Sequence, residues 1–221
     1  MATIAQLLAE AYRLQLMRGV EELLFGGGYL RLAGVDEAGR GALAGPVAAA
    51  AVLVEGDHAV PGVDDSKALD ARERERLAGW IRQAHPGHAV VFVSPQEIDR
   101  MNILEATRLA MRRALTALAP GPELALVDAV RLDGFPYPCL GLVRGDQLSY
   151  AIACASILAK VERDRVMVEL DRRYPYYAWK SNKGYGAAVH REALRQHGPS
   201  PVHRLTFKSV CPQRPASLGG R

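Results

Sequence analysis

Long apolar runs are missing from this chain: the longest, Val47 to Val54, is eight residues. A helix crossing a bilayer needs about 20 apolar residues, so no membrane span is expected. Nor does the amino terminus carry a basic stretch followed by an apolar signal core, and a cytoplasmic location is the expectation. Cysteine is scarce as well. Cys139, Cys154 and Cys211 are odd in number and form no C-x-x-C pair, which argues against a disulfide framework and against a zinc site. Internal repeats are absent, and no linker is long enough to separate two large domains.

What is present suits one globular unit. The 221 residues are 49% apolar and 24% charged. The net charge of +4 is unevenly spread: Lys160 to Lys208 holds eleven Lys/Arg against five Asp/Glu, a surplus of +6 that leaves the rest at −2. Such a basic half beside acidic residues elsewhere fits a polyanion held near a metal site, although a solvated helix face accounts for part of it equally well.

In chain order, apolar residues at helical spacing (Leu7, Leu8, Ala11, Leu14, Val20, Leu24) predict a helix over 4–25, with Thr3 able to cap it and Gly26 to Gly28 ending it. This segment, residues 1–28, reads as an appended helical extension packing beside the first strand. Strands are predicted at Leu32 to Val35 and Val47 to Val54, the latter rich in alanine as if another backbone packs closely. Residues 61–69 read as a loop, Asp70 with Glu73 as the start of a helix to about Ala84, and Ala89 to Val93 as a buried strand. Ser94, Pro95 and Glu97 make a complete helix start, followed by two helical pieces reaching Ala119. Strands at Leu124 to Val127 and Cys139 to Val143, a long helix over Ser149 to Arg173, an aromatic and basic loop at 174–183 and a helix over Ala187 to Gln196 complete the pattern. A tail beyond Pro212, rich in Pro, Gly, Ser and Arg, is expected to be disordered. Five strands with interposed helices predict an α/β sheet.

The chemistry concentrates at "LAGVDEAGRGALAG", Leu32 to Gly45. Neighbouring side chains on a strand point to opposite faces, so Asp36 and Glu37 reach one site only if the strand ends or bends there; Gly39 and Gly41 offer that bend. Their bare backbone suits the close approach of a phosphate or sugar, and Arg40 between them presents a five-donor fork. Asp128 and Asp146 likewise fall at the ends of predicted strands. Each acid alone reads as a turn residue or cap, and Asp146 could cap the helix near Ser149. Brought together, four carboxylates repel one another unless cations balance them, and oxygen ligands of this kind suit Mg²⁺ or Mn²⁺. Two such ions serve phosphodiester cleavage by activating water and stabilising the leaving oxygen.

"AGVDEAGRGALAGPV" resembles the opening motif of ribonuclease HII, the bacterial type 2 ribonuclease H. "DSKAL" at Asp65 to Leu69, "NILEAT" at Asn102 to Thr107, "RGD" at Arg144 to Asp146, "ASILAKVERDR" at Ala155 to Arg165, "NKGYG" at Asn182 to Gly186 and "GPSPVHRLTF" at Gly198 to Phe207 follow in that family's order. The resemblance runs from about Tyr29 to Val210. It implies a ribonuclease H-like fold, a mixed five-stranded sheet flanked by helices with a helical carboxy-terminal part, forming one catalytic unit over 29–211. It implies metal binding and catalysis by Asp36, Glu37, Asp128 and Asp146, with Mg²⁺ or Mn²⁺, two per site during turnover. It further implies contacts of Gly39, Arg40 and Gly41 with the ribose 2′-hydroxyl and nearby phosphate, of Ser66 and Lys67 with backbone phosphates, and of Tyr185 with the ribonucleotide junction. The implied activity is an endonuclease cutting the RNA strand of RNA–DNA hybrids and 5′ of single ribonucleotides in duplex DNA, leaving 3′-hydroxyl and 5′-phosphate ends, and acting as a monomer without a membrane partner.

The chain departs from the family pattern at three places. Ala129 and Val130 follow the third acid where glycine and a polar residue are usual, which bears on the local turn. Asn182 stands where histidine is common, and Ala151 where serine is. Of His190, His197 and His203, the last is the best placed for a supporting role. Two other readings are a ribonuclease HIII-like nuclease, for which the segment before Tyr29 is too short to hold the extra amino-terminal domain, and a non-catalytic hybrid-binding module, which has no use for four repelling acids.

Overall fold

A computed structural model describes residues 3–210; the expected tail at 212–221, and Cys211, lie outside the described residues. The order is α1 (Ile4–Met17), α2 (Gly19–Gly26), β1 (Arg31–Ala38), β2 (Val47–Glu55), α3 (Ala71–Ala84), β3 (His88–Val93), α4 (Pro95–Met101), α5 (Ile103–Thr116), β4 (Leu124–Asp128), β5 (Cys139–Leu142), α6 (Gly145–Leu148), α7 (Tyr150–Arg173), a 3-10 turn at Pro175–Tyr177, α8 (Trp179–Asn182) and α9 (Ala188–His197). The strands form one mixed sheet in the order β3-β2-β1-β4-β5: β1 runs antiparallel to β2 and parallel to β4, β2 antiparallel to β3, and β4 parallel to β5.

The alanine run of β2 is a packing device. Alternate side chains of a strand face opposite ways, and Ala50 and Val52 join the layer with α7 while Ala49, Ala51 and Leu53 join the layer with α5. Small side chains let both helices lie close, and α7 crosses β1 most tightly at Gly34, where a Cβ would stand 2.0 Å from the Ala151 carbonyl carbon. This places the buried amino-terminal half of α7 directly beneath the carboxy-terminal end of β1.

Four expectations need correction. The predicted first helix is two, broken at Arg18, whose guanidinium turns to the Gly56 and Asp57 carbonyls. Val20, Leu24 and Phe25 do pack beside β1 and β4, against Leu32, Leu124 and Leu126, but Leu7 and Leu8 are exposed. β3 is an edge strand, mostly half-buried rather than buried, because only β2 flanks it. The 174–183 loop is largely ordered into the 3-10 turn and α8. Finally, β1 does not end before its acids: Asp36 and Glu37 still pair with Ala50 and Ala49, and the turn comes after Ala38. It is β4 that stops pairing at Val35, opening space beside the two acids.

Candidate active site

Asp36 and Glu37 of β1 and Asp128, the last residue of β4, each offer a carboxylate oxygen within 4.8 Å of the others. Asp36 is buried beside Ser156 of α7, whose hydroxyl favours its ionised form, and its Oδ1 accepts the Glu37 N–H at 2.7 Å. Burial, then the Glu37 and Asp128 charges, push its pKa well above the usual carboxylate range. Burial also raises Glu37, against the opposing pull of Arg40, which pairs with it at 2.7 Å. Asp128 is raised by burial and by Asp146, with partial relief from the Gly145 N–H at 2.7 Å. Each of the three therefore favours a proton or an added cation. The buried Glu37 Oε2 has no hydrogen-bond partner. A hard divalent cation fits this donor set, since it supplies both the missing charge and a partner for that oxygen.

Asp146 is not part of the triplet. It opens the short α6, buried, and accepts from Lys67 Nζ at 2.8 Å. The sequence expectation of four gathered carboxylates thus becomes three in contact range and a fourth beside them with an ammonium as its partner.

The cleft over the acids is lined by Ala38, Gly39, Arg40, Gly41, Ser66, Lys67, Ser156, Lys160 and Tyr185 as well as Asp36, Glu37 and Asp128. Gly39 is required twice over: its φ is +92°, and a Cβ there would strike Arg163 Nε at 1.8 Å. Ser66 faces the cleft but its hydroxyl is engaged with that of Ser156 at 2.9 Å. Tyr185 is 39% exposed, lies 4.0 Å from where a Cβ on Gly41 would be, and has the Arg163 guanidinium over its ring. Asn182 spends its side chain inside its own loop, donating to the Tyr177 carbonyl and accepting from the Gly184 N–H, so it reaches no ligand. The altered turn after the third acid keeps its course at a cost: Ala129 adopts φ +47° and donates to the Leu142 carbonyl. Ala151 is buried where α7 crosses β1, away from any phosphate path.

A family model described as Ribonuclease HII matches residues 33–210. The chain belongs to the ribonuclease HII family. It is similar to the Ribonuclease HII of Desulfitobacterium hafniense, 48% identical over 206 residues covering 93% of this chain and 79% of that relative. The Geobacillus kaustophilus Ribonuclease HII is 50% identical over 196 residues, 89% of this chain and 75% of that one. Among solved structures, the ribonuclease H2 of Pyrococcus horikoshii OT3 superposes with a TM-score of 0.69 at 26% identity, covering 82% of this chain and 95% of that one. The Archaeoglobus fulgidus RNase HII solved with PCNA gives 0.66 at 30% identity, covering 85% and 98%. Membership makes this chain a metal-dependent endoribonuclease acting on RNA–DNA hybrids.

Sequence reasoning missed Ser156, Lys160, Arg163 and Arg204. The first three share one α7 stripe at i, i+4 and i+7 within "ASILAKVERDR", a spacing that puts them on one helix face. Arg204 gave no such signal. It is fully buried, donating to the Gly45 and Arg40 carbonyls at 3.1 and 2.9 Å, and desolvation pulls its pKa down to about 9.

Proposed function

We propose that this chain cuts duplex DNA on the 5′ side of a single embedded ribonucleotide, as well as the RNA strand of longer hybrids, by two-metal hydrolysis leaving 3′-hydroxyl and 5′-phosphate ends. The observation that carries the reading is the placement of three carboxylates, each raised by burial and by neighbouring acids, beside the Gly39 to Gly41 turn and the half-exposed Tyr185. Asp36, Glu37 and Asp128 would hold divalent ions, Mg²⁺ or Mn²⁺, with Asp146 joining once its Lys67 partner turns to a phosphate. Bound there, such ions supply Lewis-acid stabilisation of the leaving oxygen and a lowered pKa for the attacking water.

The chain's own residues orient the substrate. Gly39, Arg40 and Gly41 allow a sugar-phosphate to lie against backbone, with bare N–H groups near the 2′-hydroxyl that distinguishes RNA from DNA. Tyr185 offers a flat face for the next sugar, a sequence-independent contact. Lys67, Lys160 and Arg40 balance backbone phosphates. Ser66 supports the site through Ser156, and with it Asp36, more than through a phosphate of its own.

The test is cleavage of a labelled duplex carrying one ribonucleotide, in Mg²⁺, in Mn²⁺ and with chelator, beside an all-DNA control. Metal-dependent cutting immediately 5′ of the ribonucleotide is the expected result. Cutting of long hybrids alone would retain the active site and refute the single-ribonucleotide specificity.

A further inference from the structure

Behind Tyr185 lies a buried group that the cleavage chemistry does not use: His190 on α9, His203 in the segment after α9, Trp179 on α8 and Ser200. Their hydrogen bonds have only one consistent direction. The Ser200 backbone N–H donates to His203 Nδ1 at 2.9 Å, so that nitrogen carries no proton. A neutral His203 then bears its proton on Nε2, which lies 3.0 Å from His190 Nε2. That atom must accept. The Trp179 indole N–H, a donor and nothing else, requires the same by pointing at His190 Nε2 from 3.1 Å. The His190 proton is therefore on Nδ1, 2.8 Å from the Tyr185 carbonyl oxygen. Two independent donors fix one tautomer, and its remaining N–H ends on the backbone of the residue that faces the cleft.

We propose that His203 and His190 form a directed relay that locks the Tyr185 backbone, making His190 a positioning residue for the junction contact; this rests on the reading of Tyr185 given above. The anchoring is shared with the glycine turn. His203 bridges to Ala44, and Leu43 donates to the Gly184 carbonyl at 2.8 Å, so the relay ties both substrate-facing loops to one buried block. Tyr177, stacked on Trp179 with centroids 4.8 Å apart and edge-on to His203, closes the block against water. A rigid backbone at Tyr185 limits where its ring can sit, and loss of such positioning shows in discrimination between substrates more than in the chemical step.

Two measurements on the full chain test it. Long-range ¹⁵N–¹H spectra at pH 7.5 should show the Nδ1–H tautomer for His190 and the Nε2–H tautomer for His203; the reverse tautomer at His190 would overturn the relay. In cleavage assays, His190→Phe should lower the ratio of kcat/KM for the single-ribonucleotide duplex to that for a uniform hybrid by roughly tenfold, the effect of losing the one of its three hydrogen bonds that reaches Tyr185. Its kcat on the uniform hybrid should stay near the unaltered protein's. His190→Asn, whose amide nitrogen overlies Nδ1, should restore the ratio to within about threefold even at a lower Tm. In a Tyr185→Ala background His190→Phe should change the ratio no further. If Tyr185→Ala leaves the ratio unchanged, the reading of Tyr185 fails and the positioning role with it. If Tyr185→Ala lowers it but His190→Phe does not, the relay alone is refuted.

Discussion

Asp36→Asn is expected to stabilise the metal-free protein while abolishing cleavage. Asp36 is buried, and carboxylate oxygens of Asp36, Glu37 and Asp128 lie within 4.8 Å of one another. At an effective dielectric near 20, two full charges at that separation repel by roughly 3.5 kcal/mol. Proton uptake relieves part of this, which leaves a gain of about 1–3 kcal/mol for an uncharged isostere that can still accept the Glu37 N–H. For a chain of this size that is a Tm rise of roughly 3–9 °C. The folded-state pKa of Asp36 is raised above the unfolded value of about 3.9, so folding takes up a proton. Stability of the unaltered protein therefore falls as pH rises from about 4 through the folded-state pKa, and the advantage of asparagine grows over the same window. Scanning calorimetry with chelator at pH 4.5 and pH 8 measures this directly. With Mn²⁺ in excess the order should invert, since a cation at 100 times its Kd adds about 2.7 kcal/mol to a protein that binds it. A Tm gain that is absent, or equal at both pH values, would refute the account of the carboxylates as mutually strained.

Ala129→Gly should raise Tm by about 1–3 °C without changing activity, because relief of the left-handed φ of +47° outweighs the added freedom of the unfolded chain; a fall in Tm would show that the turn is not strained. Glu21 of α2 is buried and accepts from the Ser149 hydroxyl at 2.5 Å and the Ala151 N–H at 2.9 Å, joining the amino-terminal extension to the start of α7. Glu21→Ala should cost about 2–4 kcal/mol in denaturant unfolding and Glu21→Gln under about 1 kcal/mol, since glutamine keeps the acceptor. Lys67→Met should weaken hybrid binding several-fold and reduce the slope of log K against log salt by about one, the signature of one lost phosphate contact; an unchanged slope would confine Lys67 to its pairing with Asp146.

Much of the scaffold was legible because the signals were local. The Thr3 and Asp70 caps, the complete helix start at Ser94 and the apolar runs of β1 and β2 all specify elements within a few residues, and all are present. What failed depended on neighbours. Leu7 and Leu8 have the helical spacing of a buried face, yet only Leu14 and Met17 of α1 meet the core. β3 reads as buried because Val90, Val91 and Val93 are apolar, but its rank at the sheet edge is set by strand order, which no short window encodes. In the site, "DEAGRG" and the strand-end aspartates are visible because acids and glycines are costly there. The separation of Asp146 from the other acids is not visible, since it depends on a lysine that lies 79 residues earlier in the chain.

The same limit explains why the two buried arginines went unread, and their placement completes the electrostatics of the site. Arg163 donates to the Pro46, Lys183 and Ala44 carbonyls, and Arg204 to those of Gly45 and Arg40. Among the described residues neither guanidinium forms an ion pair. Two guanidiniums without an acid partner under one turn, and three clustered carboxylates of which only Glu37 has an ion pair, to Arg40, are each expensive to bury. Backbone carbonyls engage every guanidinium nitrogen of the two arginines except Arg204 Nη2, without cancelling their charge, so a positive potential remains beneath the Gly39 to Gly41 turn, where the proposed phosphate would lie. The acids keep their negative potential a few ångströms away, where a divalent cation would lie. Direct pairing of the two sets would lower the folding cost and occupy the groups proposed to hold metal and phosphate. The carbonyl cage holds Arg163 and Arg204 apart from the acids, and on the proposed reading the cost of keeping the charges separate is offset when metal and phosphate bind.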